Sequence, residues 1–421
     1  MKIWYSLLYG IILQYGGQTM KIPSFLDRDN YLQNPIMRRF LKEHNLELVS
    51  TRADYINSIE RFSEISEENK AIVCKWLLKI VKEGSKEICY RKIHGIGERH
   101  RDVSVVEAMI KEAFPECPRQ NVLAYRNSEE WKMIDYHFYM DEGEIQKIEF
   151  TFSQLYLCGE EGKNGETTVF PIFIEVYLNE GFVISRAKAK STLYPYDANN
   201  PMLLGISRIN TMAVAVAAID QIINIFEFTT ERDKQKVKNE NSQMLYKLYE
   251  QYSFTPADVE EKIDTQNGLI FSFVNQLFGD LSLDIRNKEK ALVDTRILVE
   301  KYISINGDNE NVFKQDRKAY LIKISSDDEL DLTSIDTKSE KSIPLQCTEA
   351  FFDSKKSVIK GKKCKKLNMV FKRNDEKYLT GNIRQLEVQF GTQKNYGYVK
   401  TLQYAEEADI QNVLQAIFDN Y

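Results

Sequence analysis

The residues of this chain best suited to chemistry are basic, and they come in clusters. The stretch KKSVIKGKKCKK, residues 355–366, holds seven lysines and no acid: Lys355, Lys356, Lys360, Lys362, Lys363, Lys365 and Lys366. From 355 to 400, thirteen lysines and arginines stand against three acids (Asp375, Glu376 and Glu387). A chain of net charge −5 therefore carries a segment of +10. Lysines at that density neutralise phosphates, and the counterions they release give a sequence-independent affinity for nucleic acid. Phe371, Tyr378, Tyr396 and Tyr398 share the segment and offer rings on which unpaired bases stack. The competing reading is a lysine-guarded loop at a sheet edge.

A second cluster lies near the start, in LKEHNLELVSTRADYINSIERF, residues 41–62, preceded by Arg38 and Arg39. Leu41-Lys42-Glu43 closes one helix, Leu46 sits in the link, and Ser50-Thr51-Arg52 opens a second helix. Tyr55, Ile56 and Ile59 take that helix's core positions. Residues 33–62 resemble the SAP motif, a small helix–extended loop–helix module of chromatin and nucleic-acid proteins. That family usually has glycine where this chain has Ser50 and lysine where it has Arg52; the second change keeps the charge. The resemblance implies DNA binding through phosphates. The N-terminus of the second helix, at Ser50 and Thr51, presents unpaired N–H groups, and Arg52 adds a charge-assisted contact. Arg38, Arg39 and Lys42 lie along the backbone. Contacts of this kind position a protein on DNA without reading bases.

Other candidate chemistries are thinner. In YRKIHGIGERHRD, residues 90–102, Arg91, Lys92, Arg99 and Arg101 surround a Gly-Ile-Gly turn similar to that of helix–hairpin–helix DNA-binding motifs. His100-Arg101-Asp102 matches the kinase catalytic triplet, but neither the downstream asparagine nor a Gly-rich nucleotide loop accompanies it, which excludes a kinase. A metal-dependent nuclease needs carboxylates and a lysine gathered on adjacent strands. Asp135, Asp141, Glu144, Glu149 and Glu175, with Lys188 and Lys190 later, show no compact set, and charges alternating along a strand are expected to face water. Glu387 and Gln389 make at most a degenerate version. The six cysteines form no CxxC pair, and His44, His94, His100 and His137 complete no zinc pattern. Free thiols in a reducing cytoplasm follow, with neither metal nor cofactor.

The elements that must carry these residues read as α+β. At 421 residues, two or three domains are expected. With 9 prolines, 19 glycines and 43% hydrophobic residues, long disordered linkers are excluded. Residues 1–19 form an apolar run too short and interrupted to span a bilayer. Gly16-Gly17 can be encoded GGAGG, a ribosome-binding sequence upstream of the Met20 codon, so translation is expected to start at Met20 in a bacterial message. Residues 20–125 read as a helical region carrying the SAP-like hairpin. Asn34 caps its first helix ahead of Pro35, and further helices begin after Thr51 and near Ser66, with a fourth over Val105–Phe114. From 126 to 305 comes a central domain: four β-rich runs spaced as an antiparallel meander, then a nearly all-round apolar helix, SRINTMAVAVAAIDQIINIFEF, as its buried centre. Residues 306–421 form a basic, β-rich domain closed by a short amphipathic helix.

The expected function is DNA binding, mainly sequence-independent, through the SAP-like hairpin and the 355–366 lysines. A non-catalytic scaffold or adaptor subunit of a larger assembly, docking protein partners, is the alternative. A metal-dependent nuclease is the third reading.

Overall fold

The computed structural model describes residues 20–28, 30–125, 129–159, 165–190, 193–197, 208–306, 310–315, 317–327, 334–340, 343–373 and 385–421. The segment 1–19 and Tyr378 lie outside these. The class is α+β, as the sequence predicts. Contacts divide the chain into two units. The first holds residues 1–232 with 375–384 and 398–411, and the second holds 233–374 with 385–397 and 412–421.

The first unit opens with α1 (Ser24–Arg28), α2 (Asn34–Glu43), α3 (Arg52–Glu64) and α4 (Glu67–Lys82). Their ends follow local signals. Pro35 lies in the first turn of α2, where a missing N–H costs nothing. The cap is Gln33 rather than Asn34, whose side chain instead accepts from Arg52 at 2.9 Å. Asn45, at φ +54°, turns the chain left-handed after α2, and the Leu46 N–H reaches back to the Leu41 carbonyl at 2.8 Å. Thr51 caps α3 by accepting from the Asp54 N–H at 3.2 Å, and Ser66 caps α4 by accepting from Asn69 at 3.1 Å. Met37, Phe40, Leu41, Ile59, Leu77 and Val81 share one apolar core.

Reading 20–125 as a helical region misses a strand. KEICYRK, Lys86–Lys92, is β1, and its first five residues are buried. A strand buried on both faces normally reads as a continuous apolar run. Here Lys86 and Glu87 occupy buried positions with partners inside the protein, so the segment looks like a polar connection. After α5 (Val103–Ala113) comes the expected meander of β2 (Lys132–Asp141), β3 (Glu144–Cys158), β4 (Glu166–Tyr177) and β5 (Phe182–Lys188), antiparallel throughout. Glu142 and Gly143, at φ +47° and +92°, supply the two left-handed residues that a two-residue hairpin between right-twisted strands requires. β1 pairs with β5, and the short β6 (Leu193–Pro195) pairs with β3. The apolar helix, α6 (Thr211–Ile225), lies on β5 and β1 with Ala215, Ile219 and Ile222 inward. Ala213, Ala217 and Asn224 are exposed, so it covers one sheet face rather than forming a surrounded centre.

The second unit runs through α7 (Lys234–Ser253), α8 (Ala257–Asp264), α9 (Asn267–Asp280), α10 (Lys288–Ile305) and α11 (Glu310–Lys314). Then come β7 (Ala319–Asp327), β8 (Ser334–Lys338), α12 (Glu349–Gly361), β9 (Lys366–Lys372) and β10 (Gln385–Thr392). Its strands are antiparallel in the order β10-β9-β7-β8. β11 (Gly397–Thr401) lies beside β1 in the first unit, and α13 (Glu407–Asn420) begins in the first unit and ends in the second. Among the described residues no helix is long and apolar enough to cross a membrane.

Candidate nucleic-acid interface

The lysine-rich stretch is half helix and half corner. Its first part forms the last turns of α12. Lys362 then takes φ +49°, with its N–H on the Val358 carbonyl at 3.0 Å. The Cys364 N–H donates to Ser242 at 3.0 Å, the Lys365 N–H donates to Ser325 at 2.8 Å, and Lys366 opens β9. A helix C-terminus carries partial negative charge and unpaired carbonyls, so cations are favoured there. The register Gly391↔Lys366, with the Thr392 N–H on the Lys365 carbonyl at 3.3 Å, brings the turn after β10 alongside. That adds Lys394 to Lys360, Lys362, Lys363, Lys365 and Lys366. Lys360, Lys362 and Lys394 are exposed, and the other three are half-buried. Neither contributing segment, 354–370 or 391–397, contains an acid. Lys360 and Lys365 also have contacts within the chain. Lys355 and Lys356 are placed differently. The Lys355 ammonium sits between both oxygens of Glu300 at 2.8 and 2.6 Å, and Lys356 pairs with Asp294. Both tie α12 to α10.

Residues 33–62 do fold as helix, extended link and helix. Arg38 and Lys42, one turn apart on α2, are exposed, as are Ser50 and Thr51 at the start of α3. Arg39 is paired with Glu406 and lies 3.8 Å from Glu43. Arg52 is engaged inside the chain. Its guanidinium reaches the Asp27 carboxylate at 2.5 Å, Asn34 at 2.9 Å, and the carbonyls of Asp27 and Leu32 at 3.2 and 2.7 Å. Four of its five donors are thereby used. The Thr51 hydroxyl donates to the Asp54 carboxylate at 2.6 Å. Across 34–64, five basic residues meet five acids, so the hairpin adds no net positive field.

The arginines of the third basic stretch are engaged within the chain. Arg91 pairs with Asp220, Arg99 with Glu227 at 2.7 Å, and Arg101 donates to the Ile145 carbonyl at 3.3 Å. His100 is buried. Its Nδ1 accepts from the Gly97 N–H at 2.9 Å, so Nε2 carries the proton donated to the Phe226 carbonyl at 3.0 Å. Burial pushes the imidazole below its ordinary value, which keeps it neutral.

The middle-strand carboxylates correct the expectation that they face water. Glu149 and Glu175 are direct cross-strand partners on β3 and β4, and both are 3% exposed. Glu149 is paired with Lys82 of α4 and accepts from the Tyr139 hydroxyl at 3.2 Å. Glu175 lies 2.7 Å from Arg186 and 3.4 Å from Lys147, and accepts from the Tyr177 hydroxyl at 3.1 Å. Arg186, 1% exposed, also donates to Glu407 at 2.6 Å, and Gln411 donates to Glu407 at 2.7 Å. Burial alone would raise Glu149 and Glu407; Lys82, with Lys147 and His137, holds Glu149 below the usual range, and Arg186 holds Glu407 at about 2. Three carboxylates thus meet three cations. Asp135, also buried, lies 3.0 Å from His137 and 3.1 Å from Arg119, whereas Asp141 and Glu144 are exposed. Lys188 donates to the Asn30 carbonyl at 3.1 Å, and Lys190 lies 3.8 Å from the Cys158 sulfur. Among the described residues no group of three or more His, Cys, Asp or Glu is placed to hold a metal ion.

No protein-family model matches this chain, and no curated protein sequence does. The functional reading therefore rests on geometry.

Phe371 and Tyr398 are buried in their strands, and Tyr396 is half-buried. Among the described residues the basic surface is one of charge, without a row of open rings. All six cysteines are free thiols; burial pushes Cys74 up to about 11 and Cys89 to about 12, so both stay protonated and inert.

Proposed function

We propose that this protein binds DNA through the phosphate backbone without reading base sequence. Its main contact surface is the lysine corner where α12 passes into β9, with Arg38 and Lys42 of the SAP-like hairpin as a separate, smaller set. The observation that carries this is the convergence of Lys394 with five lysines of 360–366, on two segments that contain no acid. Phosphate neutralisation makes affinity fall with salt, the logarithmic slope growing by about 0.9 for each contact. Replacing Lys362, Lys363, Lys365 and Lys366 with serine is expected to lower that slope by about 3.6. Lys355→Ser and Lys356→Ser, which touch Glu300 and Asp294, leave it unchanged. An equal slope in the wild type and the four-lysine variant would remove the corner from the interface.

The free thiols fit a reducing, cytoplasmic setting. Each buried middle-strand carboxylate is already matched by a cation, which supports binding without cleavage. A second reading, a non-catalytic adaptor that docks proteins, is favoured by a separate observation: the apolar surface of α9 and α10. Absence of DNA binding at low salt would leave the adaptor as the better account.

A further inference from the structure

The helix α7 opens with KQKVKN, residues 234–239, which hold three lysines and no acid. Its direction is fixed by contacts with the segment it covers. The Ser242 carbonyl accepts from the Cys364 N–H at 3.0 Å, just before β9 begins, and the Tyr252 ring lies 6.3 Å from that of Phe371, near the end of β9. α7 and β9 therefore run the same way, with Ser242 at the corner end. At about 1.5 Å per residue, the two turns before Ser242 carry the helix roughly 12 Å past that contact. Burial follows the same line. Asn241, Ser242, Leu245, Leu248, Tyr249 and Tyr252 are buried, whereas Lys234 and Lys236 are exposed and Lys238 is half-buried. The first turns of α7 thus overhang the end of the sheet where Lys362, Lys363, Lys366 and Lys394 stand.

Lys234, Lys238 and Ser242 are spaced by four, so they share one side of the helix. Among the described residues Lys234 and Lys238 have no carboxylate partner, whereas Lys236 has contacts within the chain. The acids of α7 and its cap are Asp233, Glu240 and Glu250. Asp233 accepts from the N–H groups of Gln235 and Lys236 at 2.8 and 3.3 Å. Glu240 is half-buried and about 200° around the helix from Ser242, and Glu250 lies two turns beyond Ser242, over the sheet. No aromatic residue occurs in 234–241 or 360–366, and Tyr396, in the turn after β10, is half-buried. Single strands are held largely by stacking of their bases on open rings. Ammonium groups without rings respond instead to phosphate density, and a duplex carries a charge about every 1.7 Å of its axis, twice that of one strand. We propose that the phosphate-binding surface continues from the lysine corner onto Lys234 and Lys238 of α7, and that its partner is double-stranded rather than single-stranded DNA. This rests on the reading of the corner as a phosphate-binding surface. Residues 234–239, 354–370 and 391–397 contain no arginine, so the fork that reads guanine is missing and the duplex is held by charge.

The test is fluorescence anisotropy of the full chain with a labelled duplex and with one of its strands alone, each titrated in salt. The duplex is expected to bind at least about tenfold tighter than the strand. Lys234→Gln with Lys238→Gln, which keeps good helix formers, is expected to lower the duplex slope by about 1.8. Lys247→Gln, exposed on the same helix but about 140° around from Ser242, leaves the slope unchanged. Circular dichroism should be the same for all three proteins. A slope that survives Lys234→Gln with Lys238→Gln, or a strand bound as tightly as the duplex, would overturn this inference while leaving the corner's own role to the four-lysine variant. No binding of either DNA at low salt would overturn both.

Discussion

On β3, β4 and β5 of the first unit, Glu149, Glu175, Lys147 and Arg186 lie within the fold, and Lys82 and Glu407 complete an equal number of charges of each sign. At the α12–β9 corner of the second unit, five lysines of one segment meet Lys394 of another, and neither segment holds an acid. Both regions are dense in charge, but the first interleaves cations with carboxylates, whereas the second gathers lysines from two segments that hold no acid of their own. Density along the sequence does not distinguish them. What does is which side chains the pairing between distant segments brings together.

The comparison breaks most sharply at Arg186, which serves two carboxylates. Arg186→Met should take the nearest cation from Glu175 and Glu407, leaving Lys147 at 3.4 Å from Glu175, and cost about 3 kcal/mol of unfolding free energy in urea titrations, since a buried carboxylate loses its main partner. A loss under about 1 kcal/mol would mean the network is not holding the sheet.

The same network predicts an acid limb. Glu407, held at about 2 rather than the ordinary 4.5, contributes stability that is present above pH 4.5 and lost as pH falls towards 2. Unfolding free energy measured across that window should drop in the wild type and flatten in Arg186→Met.

Lys86 sharpens the contrast from inside the same unit. It is 1% exposed, and its ammonium donates to the Val81 carbonyl at 2.5 Å beside the Tyr31 ring. Burial, then Lys188 and Arg186, push it well below its ordinary value. Lys86→Met keeps the apolar stem and removes a costly desolvated amine. It should change unfolding free energy by no more than about 1 kcal/mol, in either direction. A loss as large as that at Arg186 would show that Lys86 is an active member of the network.

The local part of the fold was legible. Thr51, Ser66, Pro35 and the meander's turns announce themselves because caps and turns are decided by neighbouring residues. β1 was hidden because Lys86 and Glu87 stand where apolar residues usually mark a buried strand. α12 was hidden because its lysines mask the stripe of Phe351, Phe352 and Val358. At the candidate site, the lysines were readable as composition, but their division was not. Nothing near Lys355 in sequence points to Glu300, and Asp27 reaches Arg52 from 25 residues upstream. Arg186 and Glu407 are 221 residues apart. Lys394 joined the corner only through the register of β9 and β10.

The corner should give the smallest effect on stability and the largest on binding. Serine at Lys362, Lys363, Lys365 and Lys366 is expected to move unfolding free energy by under about 0.5 kcal/mol, as for surface positions generally. The most direct measurement is the affinity of the wild type and this variant for duplex DNA across a salt titration. A steep wild-type slope should fall by about 3.6 in the variant, while fold and stability persist. Equal slopes, or no binding by the wild type at low salt, would contradict it.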